Sequence, residues 1–195
     1  MHRILFVCTG NTCRSPMAEG MLRKLLAEEG LNGIEVRSAG VAAYDGTPTS
    51  DHAVTVLKER GCSGPSSSTM LSETWVNWAD LILTMTSTHK RHAIQLYPGA
   101  VDKVFTLKEY VMGDSATAAQ IAELESLISD LQLKRALSQP ISEEEKARVA
   151  ALERDLPNPD IADPFGGPLK GYQSCANEIE SSLTKLVAKL KDSAQ

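Results

Sequence analysis

Ile4-Leu5-Phe6-Val7-Cys8-Thr9-Gly10-Asn11-Thr12-Cys13-Arg14-Ser15-Pro16-Met17-Ala18-Glu19 decides the fold. Its first four residues are an unbroken apolar run, the mark of a strand buried on both faces. Met17, Met21, Leu22, Leu25 and Leu26 then recur at helical spacing. Ser15 stands at the expected N-cap, Pro16 at the first helical position, and Gly30 at the stop. A buried strand that turns directly into a helix is the opening unit of a parallel α/β sheet.

The alternation continues outward. Ile34 to Ser38 alternates as a strand, and Ala53, Val54, Val56 and Leu57 suit a helix capped near Thr49 or Ser50 and ended by Gly61. Ser63 to Thr69 is a polar loop. Leu81 to Met85, Ser87 to Leu96 and Val104 to Leu107 read as strand, helix and strand. Ala176, Ile179, Leu183, Leu186, Val187 and Leu190 form one apolar face of a last helix. The sheet is therefore mainly parallel, and ligands bind beyond the carboxyl ends of its strands, where the Cys8 loop lies.

Residues 114–156 break the rhythm. Ile121, Leu124, Leu127, Ile128 and Leu131 make a helical stripe, and Ser138-Gln139-Pro140 makes a turn. Ser142 with Glu145 reads as a capping box ahead of Val149, Leu152 and Leu156. The expectation is one domain over 1–195 with a helical hairpin inserted at about 114–156. The insertion holds nine acids and five bases, so it carries nearly all of the chain's net charge of −5.

Composition narrows the classes. At 42% hydrophobic and 23% charged residues the chain is globular rather than disordered. The acidic balance argues against a nucleic-acid partner, which requires a basic face. No apolar run approaches the ~18 residues of a membrane-spanning helix. Met1-His2-Arg3 leads into the first strand with no apolar signal region, so a cytoplasmic protein with no membrane partner is expected. Cys8, Cys13, Cys62 and Cys175 are too sparse for a disulfide scaffold, and no ligand cluster accompanies them, so no metal is expected.

The loop from Cys8 to Ser15 carries the chemistry. Gly10 and Asn11 tolerate positive φ, so the chain can curl until successive N–H groups of Thr9, Gly10, Asn11, Thr12, Cys13, Arg14 and Ser15 surround a tetrahedral anion. The following helix adds its positive dipole end, and Arg14 adds a fork matched to two phosphate oxygens. The same three features favour the Cys8 thiolate and make it a nucleophile. Ser15 is placed to donate a hydrogen bond to the sulfur. The patterns of an ATP-binding loop and of a dinucleotide fingerprint are absent. An acid must protonate the leaving group. Asp163, in Asp163-Pro164-Phe165-Gly166-Gly167, is the best candidate, since Pro164 restricts its backbone.

Val7 to Glu19, Arg37-Ser38-Ala39-Gly40, Ala79-Asp80-Leu81 and Asp163-Pro164 together resemble the low-molecular-weight protein tyrosine phosphatase family, over residues 2–112 and 160–192. The resemblance implies a four-stranded parallel sheet flanked by helices and a phosphocysteine on Cys8. It also implies phosphate held by the loop and Arg14, Asp163 as acid and then base, and no cofactor. It gives Asn11 and Ser15 the task of shaping the loop, with Ser38, Thr9 and Asp80 in support. Thr12 and the sequence Val104-Phe105-Thr106-Leu107-Lys108-Glu109-Tyr110 resemble the bacterial protein-arginine phosphatases within this family.

A physical reason supports that branch. Phosphotyrosine is best gripped by apolar walls, whereas phosphoarginine presents N–H donors that Thr12 and Asp163 can accept. Thr12 and Phe165 are therefore the expected specificity residues, and phosphorylated proteins or peptides the expected partners. A tyrosine phosphatase is the alternative. An arsenate reductase fits less well, because Cys62 and Cys175 lie far apart in sequence. Cys13 is a candidate redox partner for Cys8. Cys62, Cys175, Trp75 and Trp78 read as structural, His52, His89 and His92 as surface or capping groups, and Tyr44 as part of a loop bordering the pocket.

Overall fold

The computed structural model describes residues 2–113 and 115–192. Strands β1 (Arg3–Cys8), β2 (Glu35–Gly40), β3 (Leu81–Thr84) and β4 (Val104–Thr106) form one sheet in the order β2-β1-β3-β4. All three pairings are parallel, with Cys8 opposite Gly40 and Val7 opposite Thr84. The carboxyl ends of β1, β2 and β3 therefore reach the same edge.

The helices are α1 (Arg14–Glu28), α2 (Asp51–Glu59), α3 (Glu73–Trp78), α4 (Ser87–Leu96), α5 (Leu107–Met112), α6 (Ser115–Ala136), α7 (Glu143–Asp155) and α8 (Leu169–Asp192). Side chains of β1 alternate between two cores. Ile4, Phe6 and Cys8 pack with α1 and α8 through Met17, Leu22, Ile179 and Leu183. Leu5 and Val7 pack on the other face with Val76, Ala93 and Val104. An unbroken apolar run follows directly from burial on both faces.

The chain divides into two compact units, Met1–Val111 with Asp160–Gln195, and Met112–Pro159. The second holds α6 and α7. Within it Arg148 forks both oxygens of Glu123 at 2.7 Å, and Lys134 pairs with Glu145. The Ser142–Glu145 capping box opens α7, and Ser138 takes a positive φ of 52° in the turn. Asp114, the expected first residue of the insertion, lies outside the described residues.

Several boundaries differ from expectation. α1 starts at Arg14 with Cys13 at its N-cap, and Ser15 does not cap it; the Ser15 hydroxyl is engaged inside the loop instead. β2 runs to Gly40 rather than Ser38, because its ladder continues opposite Val7 and Cys8. β4 stops at Thr106 because Leu107 opens α5. α3 and α5 span six residues each, too short for a hydrophobic period to declare itself.

Ile179 is fully buried at the centre of the α1–α8 core. Ile179→Ala is expected to lower stability by about 2–5 kcal/mol, read as a lower denaturant midpoint with an unchanged slope.

Candidate active site

Cys8 closes β1, and the chain then curls through Asn11 at φ 53°. The Asn11 backbone N–H donates to Cys8 Sγ at 3.3 Å. Its side-chain NH2 donates to Ser15 Oγ and Ser38 Oγ, both at 2.9 Å, and its Oδ1 accepts the Thr69 N–H at 2.8 Å. Ser15 Oγ accepts from Asn11 and lies 3.0 Å from Cys8 Sγ and 3.4 Å from the Ala39 carbonyl, so its proton can serve a thiolate at Cys8 or the carbonyl. Ser38 passes its proton on to Glu19 Oε2 at 2.5 Å, and Glu19 also pairs with Arg23. Burial pushes the Glu19 carboxyl up, and Ser38 and Arg23 oppose that rise.

The loop carbonyls turn toward protein. Those of Cys8 and Thr9 accept from Val41 N at 2.9 Å and Ala42 N at 3.0 Å, that of Thr12 from Ser50 N at 2.9 Å, and that of Cys13 from Met17 N at 3.1 Å. Such an arrangement leaves the intervening N–H groups to form an anion nest. The strand beside the loop must be bare at Gly40: a Cβ there would fall 2.4 Å from Thr9 O and 2.9 Å from Asn11 N.

Arg14 is buried at the start of α1. It donates to the Ile161 carbonyl at 3.1 Å and pairs with Asp163 Oδ2 at 2.9 Å, and Asp163 is about half exposed. The Asp163 loop is tied back to the sheet edge by Ile161 N to Met85 O at 2.8 Å and by Asp160, which accepts from Ser87 N at 2.7 Å. Asp163 Oδ1 accepts the Phe165 N–H at 3.2 Å. Cys8, Arg14 and Asp163 line one pocket of about 200 Å³, together with Thr9, Gly10, Thr12, Cys13 and Phe165. Asn11 and Ser15, expected among the phosphate-binding residues, are buried beside Cys8 and are not among those lining the pocket.

Three residues have parts that their local sequence did not announce. His89 is buried, with Nε2 2.7 Å from Thr9 Oγ1 and Nδ1 2.9 Å from Thr86 Oγ1. Burial, reinforced by Arg14, pushes its ring down to about 4, so it is neutral at pH 7. Spacing legibly placed it three residues after the Thr86 cap of α4; its reach to Thr9, eighty residues away, had no signal. Tyr172 on α8 brings its hydroxyl 3.4 Å from Cys13 Sγ and stacks edge-on against His52. Glu19 is the third.

Asp80 is placed differently from the expected support role. Its carboxylate accepts the N–H groups of His2 at 2.7 Å and Arg3 at 3.1 Å, at the end of β1 opposite the loop. Tyr44 is exposed and is not among the residues lining the pocket. Trp75 and Trp78 meet edge to face and pack against the second core. Burial pushes the Cys175 thiol up to about 12 and raises that of Cys62, so neither is suited to shuttle a disulfide.

Comparison with known proteins adds an independent line. Residues 3–125 match the family model for the low molecular weight phosphotyrosine protein phosphatase. The chain is 37% identical over 190 residues to a protein-arginine-phosphatase of Geobacillus stearothermophilus, covering 97% of each. It is 35% identical over 188 residues to a protein-arginine-phosphatase of Bacillus subtilis (strain 168), covering 96% of each. A solved YwlE arginine phosphatase variant with a phosphorylated active-site serine superposes with a TM-score of 0.71 at 34% identity, over 97% of this chain and 95% of that one.

Gly40→Ala is expected to displace the loop, cost about 1–3 kcal/mol, and lower phosphatase activity, measured by thermal melting and turnover on the same samples. For His89 the folded value of about 4 lies below its ordinary 6.5, so the unfolded chain binds the extra proton first. Its contribution is complete above pH 6.5 and is lost as pH falls toward 4. Replacing His89 with Gln should flatten the stability profile across that window.

Proposed function

The chain belongs to the low molecular weight phosphotyrosine protein phosphatase family, and we propose that it hydrolyses phosphoarginine on proteins or peptides through a phosphocysteine on Cys8. The observation that carries the substrate assignment is that Thr12 lines the same pocket as Cys8, Arg14 and Asp163. Similarity to two protein-arginine phosphatases across nearly the whole length supports it, and the phosphorylated serine of the related structure supports a covalent intermediate.

The chemistry follows from the placement. The phosphoryl group enters the nest, and Arg14 turns its fork from Asp163 Oδ2 to the phosphoryl oxygens. The Cys8 thiolate attacks phosphorus as the P–N bond breaks, and Asp163 gives its proton to the departing guanidino nitrogen. Asp163, now a carboxylate, takes a proton from water as that water attacks phosphorus and the P–S bond breaks. Cys8 leaves as thiolate, accepting from Ser15 O–H and Asn11 N–H. Thr12 accepts an N–H of the guanidinium, and Phe165, three-quarters exposed, forms the outer wall. On this reading the enzyme works in the cytoplasm, and no described helix is long and apolar enough to cross a membrane.

Cys13 has a second use in this reading. Peroxide oxidises Cys8 to a sulfenic acid, and the Cys13 thiol displaces water to form a Cys8–Cys13 disulfide. Cys13 Sγ would leave its contact with Tyr172 to do so.

The substrate assignment is tested by kcat/KM on matched peptides: phosphoarginine should be favoured over phosphotyrosine, and Thr12→Ile should move the ratio toward phosphotyrosine. Equal or better turnover of phosphotyrosine by the wild-type enzyme overturns it. Asp163→Asn should lower kcat by about 10²–10⁴-fold. After peroxide, thiol should restore the wild-type enzyme but not Cys13→Ala; equal recovery removes the disulfide.

A further inference from the structure

Thr9 is exposed and follows the nucleophile directly. Its hydroxyl is held by a buried ring: His89 Nε2 lies 2.7 Å from Thr9 Oγ1. The ring is held at both nitrogens. Thr86 Oγ1 accepts the backbone N–H of His89 at 3.2 Å and lies 2.9 Å from His89 Nδ1. Nε2 and the Thr9 hydroxyl share one hydrogen bond, and in either tautomer of the ring Thr9 Oγ1 keeps a lone pair for a further donor. Thr9 lines the pocket.

We propose that His89 is a positioning residue that holds the Thr9 hydroxyl as a fixed polar contact for the guanidinium of a phosphoarginine substrate, which makes Thr9 a specificity-determining residue alongside Thr12. This rests on the substrate assignment of the preceding subsection. A guanidinium N–H satisfies the free lone pair of Thr9. An aryl leaving group offers no donor and leaves that hydroxyl poorly paired, which is how a polar contact discriminates between substrates.

The electrostatics agree with this role. The charged groups facing the ring are Arg14 from α1, Asp163 and Asp160 from the loop before α8, and His92 on α4 itself. Burial and Arg14 keep the ring neutral above about pH 4, so it adds no positive charge against the guanidinium cation.

The test is a double-mutant cycle of Thr9→Val and His89→Ala, with each protein assayed on a phosphoarginine peptide and on 4-nitrophenyl phosphate. The ratio of the two kcat/KM values is expected to fall about tenfold in each single variant and no further in the double variant. His89→Gln, which keeps an N–H able to reach Thr9, should recover most of the ratio. If His89→Ala fails to fold, His89→Asn takes its place, since it keeps a polar group near Nδ1 and removes the partner of Thr9 at Nε2. Multiplicative losses in the double variant, or equal losses on the two substrates, overturn the proposal. A wild-type preference for a phosphotyrosine peptide overturns the substrate assignment, and the guanidinium contact with it. A wild-type preference for phosphoarginine with an unchanged ratio in the variants overturns the His89–Thr9 role alone.

Discussion

The side-chain amide of Asn11 is buried within the fold, and every hydrogen bond it requires comes from protein. Its NH2 reaches Ser15 and Ser38, and its carbonyl takes the Thr69 N–H. The loop after β1, the end of β2 and the strand-like segment at Thr69 are thereby joined at one group. Asn11 also takes the positive φ that turns the loop, a conformation asparagine tolerates better than most residues. With the amide in place, Ser15 keeps a proton that it can offer the Cys8 sulfur, from a position outside the lining of the pocket.

The same constraint explains Gly40. A loop drawn this close to β2 leaves no room for a side chain at the register position opposite Cys8. The sheet edge is therefore part of the site. β1 ends in Cys8, β2 supplies the bare surface, and β3 leads through Met85 to the loop that carries Asp163. Arg14 joins the halves: one arm is fixed on the Ile161 carbonyl and the other meets Asp163. One guanidinium thus ties the Asp163 loop to the start of α1, and under the proposed mechanism the same group supplies the fork for the phosphoryl oxygens.

Much of the fold and site was legible in the sequence. Ile4 to Val7 declared a doubly buried strand because no polar residue interrupts it, and the α8 stripe declared a helix because its period is long and clean. The Ser142–Glu145 box was legible because its partners are three residues apart. The short helices α3 and α5 were not legible, since six residues make fewer than two turns. Ser15 was misread as a cap because serine before proline commonly caps, and its competing partners, Cys8 and Asn11, only converge once the loop has curled. Asp80 was read as loop support on resemblance, whereas the parallel register carries it to the far end of β1.

What the sequence determined by itself is local chemistry: a strand, a loop able to form an anion nest, a cysteine and an arginine six residues apart around it, and an aspartate held by proline. Each depends on neighbours in the chain, and the backbone preferences of Gly10, Asn11, Pro16 and Pro164 act over a few residues. Only the tertiary structure decided which distant groups complete them. It brought Asp163 to Arg14, Ser38 to Asn11, Tyr172 to Cys13 and His89 to Thr9, because parallel crossovers carry separate segments to one sheet edge. The hydrogen-bond demands of buried groups then choose their partners by proximity in space, which no spacing along the chain encodes.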